Sequence, residues 1–176
     1  FRRVLFRSGL FLSESRKIAE QYKDVAYDEQ LVDSMTALLI REPSRYDVIV
    51  ATNMFGDILS DEAAELAGGL GLGASINAGD NHCMAQAAHG SAPQLAGTDR
   101  ANPVSLILSA ALLLDWLSRR HRRDSLARAA RVISDAVDVM LASPDTRTVD
   151  LGGSAGTRAF TALLIHQIAT SFDARP

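Results

Sequence analysis

Tyr46 to Gly73, YDVIVATNMFGDILSDEAAELAGGLGLG, joins an apolar run, a helical pattern and a glycine cluster without interruption. Val48-Ile49-Val50-Ala51 reads as a buried strand. Thr52-Asn53 supplies polar residues that favour a helix start. The helical pattern that follows places Ile58, Leu59, Ala63 and Leu66 on one side. Asp57 and Asp61 are four apart, so their carboxylates project from one face about one turn apart. Like charges at that spacing repel, so helix stability does not account for them. Two readings stay open: a solvated acidic face, with Glu62 and Glu65 nearby, or oxygen ligands for a hard divalent cation such as Mg²⁺ or Mn²⁺.

The glycine cluster Gly68-Gly69-Leu70-Gly71-Leu72-Gly73 follows a helix rather than a strand and does not match G-x-G-x-x-G. It reads as a close-packed turn that needs positive φ or close approach, not as a phosphate cradle. Beyond it, Ala74 to Ala78 and Met84 to Ala88 read as short strands, with Asp80, Asn81 and His82 in the turn between them. His82 and Cys83 lack a second pair that would make a soft metal site. His89-Gly90-Ser91-Ala92-Pro93 is a compact polar loop after a strand, offering imidazole, backbone N–H and hydroxyl groups to a ligand. A hydrolase reading of His89 and Ser91 has no G-x-S-x-G elbow behind it.

Asn102-Pro103 marks a helix start, with proline at the first helical position. The helix from Pro103 to Leu117 is apolar nearly all round and is expected to be a buried core helix. Arg119 to Arg123 reads as a solvated turn, and Ser125 to Leu141 as an amphipathic helix. Asp150 to Thr157 is a glycine-rich turn, and Ala159 to Ser171 a closing helix with His166 on its surface. Upstream of the central stretch, the pattern predicts a helix over 9–22 with Leu10, Phe11, Ile18 and Ala19 apolar, a short strand at Val25-Ala26-Tyr27, and a helix over 28–41. Asp33 lies among apolar neighbours on that second helix.

The first eight residues, FRRVLFRS, have neither helical nor strand periodicity. They are what the string TTCAGACGTGTGCTCTTCCGATCT encodes, which resembles the end of a common sequencing adapter. Residues 1–8 therefore read as an artefact, and the native chain is expected to continue upstream of Gly9 with other residues.

The 176 residues are 47% hydrophobic, enough for a core, and carry a net charge of −3, which gives no argument for nucleic acid or an anionic membrane. Val104 to Leu117 is the longest apolar run, too short to span a bilayer and followed by Arg119-Arg120. A single cysteine, Cys83, excludes an internal disulfide and suits a reducing compartment, so a cytoplasmic location is expected.

Four stretches, NMFGDILSDEAAELAGGLGLG, HGSAPQLAG, ANPVSLILSAALLL and DLGGSAGTRAF, resemble in order and spacing the β-decarboxylating dehydrogenases of the isocitrate and 3-isopropylmalate dehydrogenase family. The similarity runs from Gly9 to Ala169. It implies an α/β chain with the isopropylmalate dehydrogenase-like fold, not the common Rossmann fold, and partial, with the N-terminal half missing. Residues 9–67 would be the remainder of a small dimer-forming domain, and 68–176 the returning half of a large cofactor-binding domain. Split sheets would leave apolar edges exposed.

The implied chemistry is oxidation of a 2-hydroxy acid with NAD or NADP and Mg²⁺ or Mn²⁺, followed by loss of CO₂. By motif, the metal aspartates are Asp57 and Asp61, with Asp33 coming from the partner subunit of a homodimer. The segment His89, Gly90, Ser91, Ala92 and Pro93 would wrap the adenosine half, with Asn102 and Asp150 as adenine partners. Gln94 stands where NAD-dependent members usually carry Asp, and no basic residue replaces it, which favours NAD over NADP. No lysine precedes Lys17, whereas the resemblance implies a catalytic lysine ahead of the Gly9 helix by roughly the length of the N-terminal octapeptide. Its catalytic tyrosine and substrate-binding arginines also belong to the other half. The chain alone is thus expected to be inactive. A non-catalytic regulatory subunit is the alternative, against which all three aspartates argue.

Overall fold

The computed structural model describes the backbone of residues 2–173 and the side chains of residues 9–172. The reading of residues 1–8 as an artefact lies outside those described side chains. Among the described residues, six helices and one hairpin follow in order: α1 (Arg2–Ala19), α2 (Val32–Arg41), α3 (Asn53–Leu66), β1 (Ala74–Ala78), β2 (Cys83–Ala87), α4 (Val104–His121), α5 (Asp124–Ala142) and α6 (Thr157–Asp173). The chain divides into two compact units, Phe1–Ala63 and Ala64–Pro176. The division falls inside α3.

In the first unit α2 and α3 pack through Met35, Leu39 and Leu59, with Val32, Tyr46 and Ala63 around them. Helix α3 starts where Thr52-Asn53 predicts: the Gly56 N–H donates to the Thr52 carbonyl at 2.8 Å. Helix α2 starts four residues later than its apolar spacing suggests. The reason is a tie across sequence. The Arg16 guanidinium donates to both Glu29 oxygens at 2.6 Å, and the Glu29 N–H donates to the Asp28 carboxylate at 2.8 Å. Residues 28–31 are held out of the helix, and Leu31 is extended at φ −71°, ψ 140°. The hydrogen bonds from Arg16 hold the Glu29 carboxyl below the usual carboxylate range.

Two predicted strands are absent. Val25-Ala26-Tyr27 and Val48-Ile49-Val50-Ala51 have no ladder partner among the described residues, and a backbone in extended form needs one. Val48 and Val50 are 81% and 72% exposed, so the run read as buried is an apolar surface. The apolar face expected of α3 is also divided: Leu59 is buried, while Ile58 and Leu66 are exposed. On α1, Leu10 and Ile18 are likewise exposed.

The second unit is built on the antiparallel hairpin β1–β2, with Ala74 opposite Ala87 and Ala78 opposite Cys83. Its core is Val104, Ala136, Val137, Met140, Ala155, Phe160 and Leu164, drawn from α4, α5, α6 and the turn before α6. The α4 start matches the sequence, since the Val104 N–H donates to the Asn102 side-chain oxygen at 3.0 Å. Its orientation does not. Ser105 and Ser109 are fully buried, while Leu106 and Leu112 are 57% and 40% exposed. Helix α4 is therefore not a core helix on every face.

The serines face inward because they complete the hairpin. The Ser105 hydroxyl donates to the Gly73 carbonyl and accepts from the Ala88 N–H at 3.1 Å. The Ser109 hydroxyl donates to the Gln86 carbonyl at 2.7 Å and accepts from the Ser75 N–H at 3.0 Å. The Ser109 hydroxyl thus bridges a carbonyl of β2 and an N–H of β1, and Ser105 joins the residue before β1 to the residue after β2. Ser109→Ala removes the hydroxyl partner of the Ser75 N–H and the donor shared by the Gln86 and Ser105 carbonyls, both at 2.7 Å, and such losses cost about 1–3 kcal/mol. Its urea midpoint should fall further than that of Leu106→Ala, the larger deletion on the same helix. The reverse order would overturn this account of α4.

Candidate functional site

Two sets of candidate residues occur, one in each unit. In the first, Asp33 lies on α2, and Asp57 and Asp61 lie on α3. All three are exposed. Their placement follows from the helix packing. Asp57 and Asp61 are each two residues from buried Leu59, and Asp33 is two from buried Met35. Two residues are about 200° of helical rotation, so the carboxylates point away from the shared core. The Asp57 carboxylate accepts from the Asn53 side-chain amide at 3.3 Å, and Asp33 accepts from the Ser34 N–H at 2.7 Å. Among the described residues of one chain, no three His, Cys, Asp or Glu side chains gather to hold a metal ion. Asp33 is not brought to Asp57 and Asp61 within a single copy. The pair on α3 nevertheless has the oxygen donor chemistry a hard cation takes.

The second set surrounds the start of α4. The Asn102 side-chain amide donates to the Asp150 carboxylate at 2.9 Å, across 48 residues of sequence. Both close over Gly71. A methyl group there would lie 2.9 Å from Asn102 Nδ2 and 3.0 Å from Asp150 Oδ2. The glycine cluster is thus a place of close approach, and Gly68 and Gly69 hold φ of 125° and 124°. Nothing in the sequence singles out Gly71 within its cluster, because the two side chains it admits are remote in the chain.

Residues His89 to Pro93 form a largely exposed loop leaving β2. His89 Nδ1 donates to the Gly90 carbonyl at 2.8 Å, so the imidazole is turned to the backbone and His89 is not paired with Ser91. Ala92 takes the left-handed conformation, φ 40°, and opens a 3-10 turn over Pro93–Leu95 in which Gln94 is exposed. Ser105 binds the Ala88 N–H immediately before this loop and the Gly73 carbonyl just after Gly71. One hydroxyl on α4 therefore holds both the residue before this loop and the end of the glycine cluster. His82 and Cys83 find no third ligand among the described residues. Among the described residues no helix is long and apolar enough to cross a membrane.

This combination, a helix bearing an exposed aspartate pair and a hairpin-based unit with a loop cluster at one end of α4, falls in the α/β class of the isocitrate and isopropylmalate dehydrogenases. The sequence model of the isocitrate/isopropylmalate dehydrogenase family matches residues 2–168, and the chain belongs to that family. It is 44% identical over 160 residues to the isocitrate/homoisocitrate dehydrogenase of Thermus thermophilus, covering 91% of this chain and 46% of the relative. It is 45% identical over 150 residues to the homoisocitrate dehydrogenase of Methanocaldococcus jannaschii, covering 85% and 41%. The crystal structure of isocitrate dehydrogenase from Methylococcus capsulatus superposes with a TM-score of 0.79 at 36% identity, over 92% of this chain and 46% of that one. A β-decarboxylating dehydrogenase from Thermococcus kodakarensis, in its apo form, gives 0.77 at 34% identity, over 98% and 49%. The chain spans about half the length of the relatives it matches.

Proposed function

We propose that this chain is the nucleotide- and metal-binding half of an NAD-dependent dehydrogenase that oxidatively decarboxylates a 2-hydroxy acid of the isocitrate or 3-isopropylmalate type. The observation that carries the reading is the Asn102–Asp150 pair closed over Gly71. A planar base needs one polar edge. Asn102 and Asp150 offer the edge, and the missing Cβ at Gly71 gives those two side chains the room to close together. Ala88, the residue before the loop His89, Gly90, Ser91, Ala92 and Pro93, is tied to Ser105 in the first turn of α4, and the exposed Gln94 would read a ribose hydroxyl. Gln94 is neutral, so it neither attracts a 2′-phosphate nor pairs strongly with the hydroxyls, and the absence of a neighbouring base supports NAD over NADP.

Asp57 and Asp61, with Asp33 from a second copy, would hold Mg²⁺ or Mn²⁺. A bound dication supplies positive charge for the oxyanion that develops as the alcohol is oxidised and CO₂ departs. A homodimer is the assembly that supports this. The outward rotation of all three carboxylates prevents them from meeting within one chain, and Ile40, Met54 and Ile58 lie exposed on the same helices at 60%, 62% and 51%. The metal, the dimer and the cytoplasmic location are parts of this reading.

The proton acceptor for the alcohol is assigned on this reading to the other half of the enzyme. The purified chain should bind NAD in a calorimetric titration, yet produce no NADH above background with Mn²⁺ and either isocitrate or 3-isopropylmalate. Turnover would overturn the assignment of catalysis to the other half. Absence of NAD binding would overturn the nucleotide reading itself.

A further inference from the structure

Helix α6 begins at Thr157, and the residue before it is Gly156, which has no side chain to cap the free N–H groups of the first turn. The cap comes from elsewhere. Asp99, 59 residues earlier than Arg158, places its carboxylate at the helix start, and the Arg158 N–H donates to Asp99 Oδ1 at 3.0 Å. The Thr157 N–H donates to the Asp99 carbonyl at 3.0 Å. The Thr157 hydroxyl returns a bond to the Ala101 carbonyl at 2.5 Å. The fit is close: a methyl group on Gly156 would lie 2.6 Å from Asp99 Oδ2 and 2.8 Å from its carbonyl oxygen.

Asp99 holds φ at 58°, in the left-handed region that a non-glycine residue enters at a cost. That cost is offset by the bonds that join this segment to one helix end and by the attraction between a carboxylate and the helix N-terminus. The segment so anchored ends, one residue after Ala101, at Asn102. We propose that Asp99 is a positioning residue: its clasp on the start of α6 sets where Asn102 meets Asp150, and thereby the affinity for an adenine nucleotide. The inference rests on the nucleotide reading above.

Three substitutions separate its parts. Asp99→Gly accepts the backbone angle and removes the carboxylate. Asp99→Asn keeps an oxygen acceptor and tolerates the angle. Asp99→Ala loses both. NAD binding by calorimetry should weaken about tenfold in Asp99→Gly, the loss of one charge-assisted hydrogen bond, and more in Asp99→Ala. Asp99→Asn should stay within about threefold of the parent. A structural cap alone would lower the melting temperature and leave affinity unchanged. The NMR resonances of the Asn102 side-chain amide supply an independent readout, and they should move in Asp99→Gly and return in Asp99→Asn. If the parent binds NAD and Asp99→Gly binds it equally well, the inference is overturned while the nucleotide reading stands. If the parent does not bind NAD, the nucleotide reading fails, and with it the role in affinity; unmoved Asn102 resonances would then sink the clasp as well.

Discussion

Gly153→Ala is expected to destabilise the second unit by about 3 kcal/mol or more, the largest loss of any glycine-to-alanine change among the described residues. The new Cβ would overlap the Arg147 carbonyl oxygen and lie 2.5 Å from its carbon and 2.6 Å from the Arg147 Cβ. These atoms are backbone or nearly so, and no rotamer change relieves the overlap. Moving the Arg147 carbonyl breaks the bond it accepts from the Ala155 N–H at 2.9 Å, and with it the bridge between Thr148 and Ala155. Both of those residues are buried, Thr148 completely. The same turn is stitched by the Leu151 and Gly153 N–H groups to the Thr148 carbonyl at 3.1 and 3.0 Å, and it carries Asp150. NAD binding should therefore fall together with stability. Gly152→Ala is the control. Its methyl would meet nothing within 4 Å, although φ is 75°, so only the left-handed strain of about 1–2 kcal/mol applies. Urea melts of the two variants settle the matter: a Gly152→Ala loss equal to that of Gly153→Ala would mean the close approach to Arg147 is not there.

What is readable in the sequence is what local chemistry writes. The α3 start at Thr52-Asn53, the α4 start at Asn102, the hairpin turn around Asp80 to His82 and the tight glycine cluster each rest on residues within a few positions of one another. What is not readable depends on partners remote in the chain. The run Val48 to Ala51 has the composition of a buried strand, but composition does not say whether a neighbouring strand is there to receive it. In α4 leucine and serine both suit a helix, and apolarity predicts the leucines inside. The hairpin decides otherwise, because the serine hydroxyls bond its carbonyls and N–H groups. The delayed start of α2 belongs to Arg16 and Glu29, thirteen residues apart. Among the candidate site residues, the family resemblance offers Asn102 and Asp150 as members of one site, and the structure places them in contact. Gly71, Gly156 and Asp99 carry no such signal, since a glycine that admits a distant side chain looks like any other glycine.

Asp57→Ala is expected to abolish the thermal stabilisation that Mn²⁺ confers on the parent chain. A ligand present at about a hundredfold its dissociation constant stabilises the state that binds it by about 2.7 kcal/mol, so the parent should melt several degrees higher with the ion than without. Asp61→Ala and Asp33→Ala should lose the effect as well, and Glu62→Ala should keep it. Equal behaviour of Asp57→Ala and Glu62→Ala would favour the plain acidic face that the spacing also allows. The stronger test uses the outward rotation of the carboxylates on both helices. If Asp33 is supplied by the partner copy, each dimer has two sites, and each site draws on both chains. Asp33→Ala and Asp57→Ala homodimers then have no complete site. A heterodimer of the two has one site with both defects and one with neither. Random exchange makes about half of the dimers mixed, so about one site in four returns, and Mn²⁺ binding measured by electron paramagnetic resonance should recover to that level. Three aspartates converging within a single chain give no recovery on mixing, because every chain still lacks a ligand. No recovery, with exchange verified by mass spectrometry of the mixed dimer, would remove the shared site and the homodimer argued from it, while leaving the nucleotide site around Asn102 and Asp150 untouched.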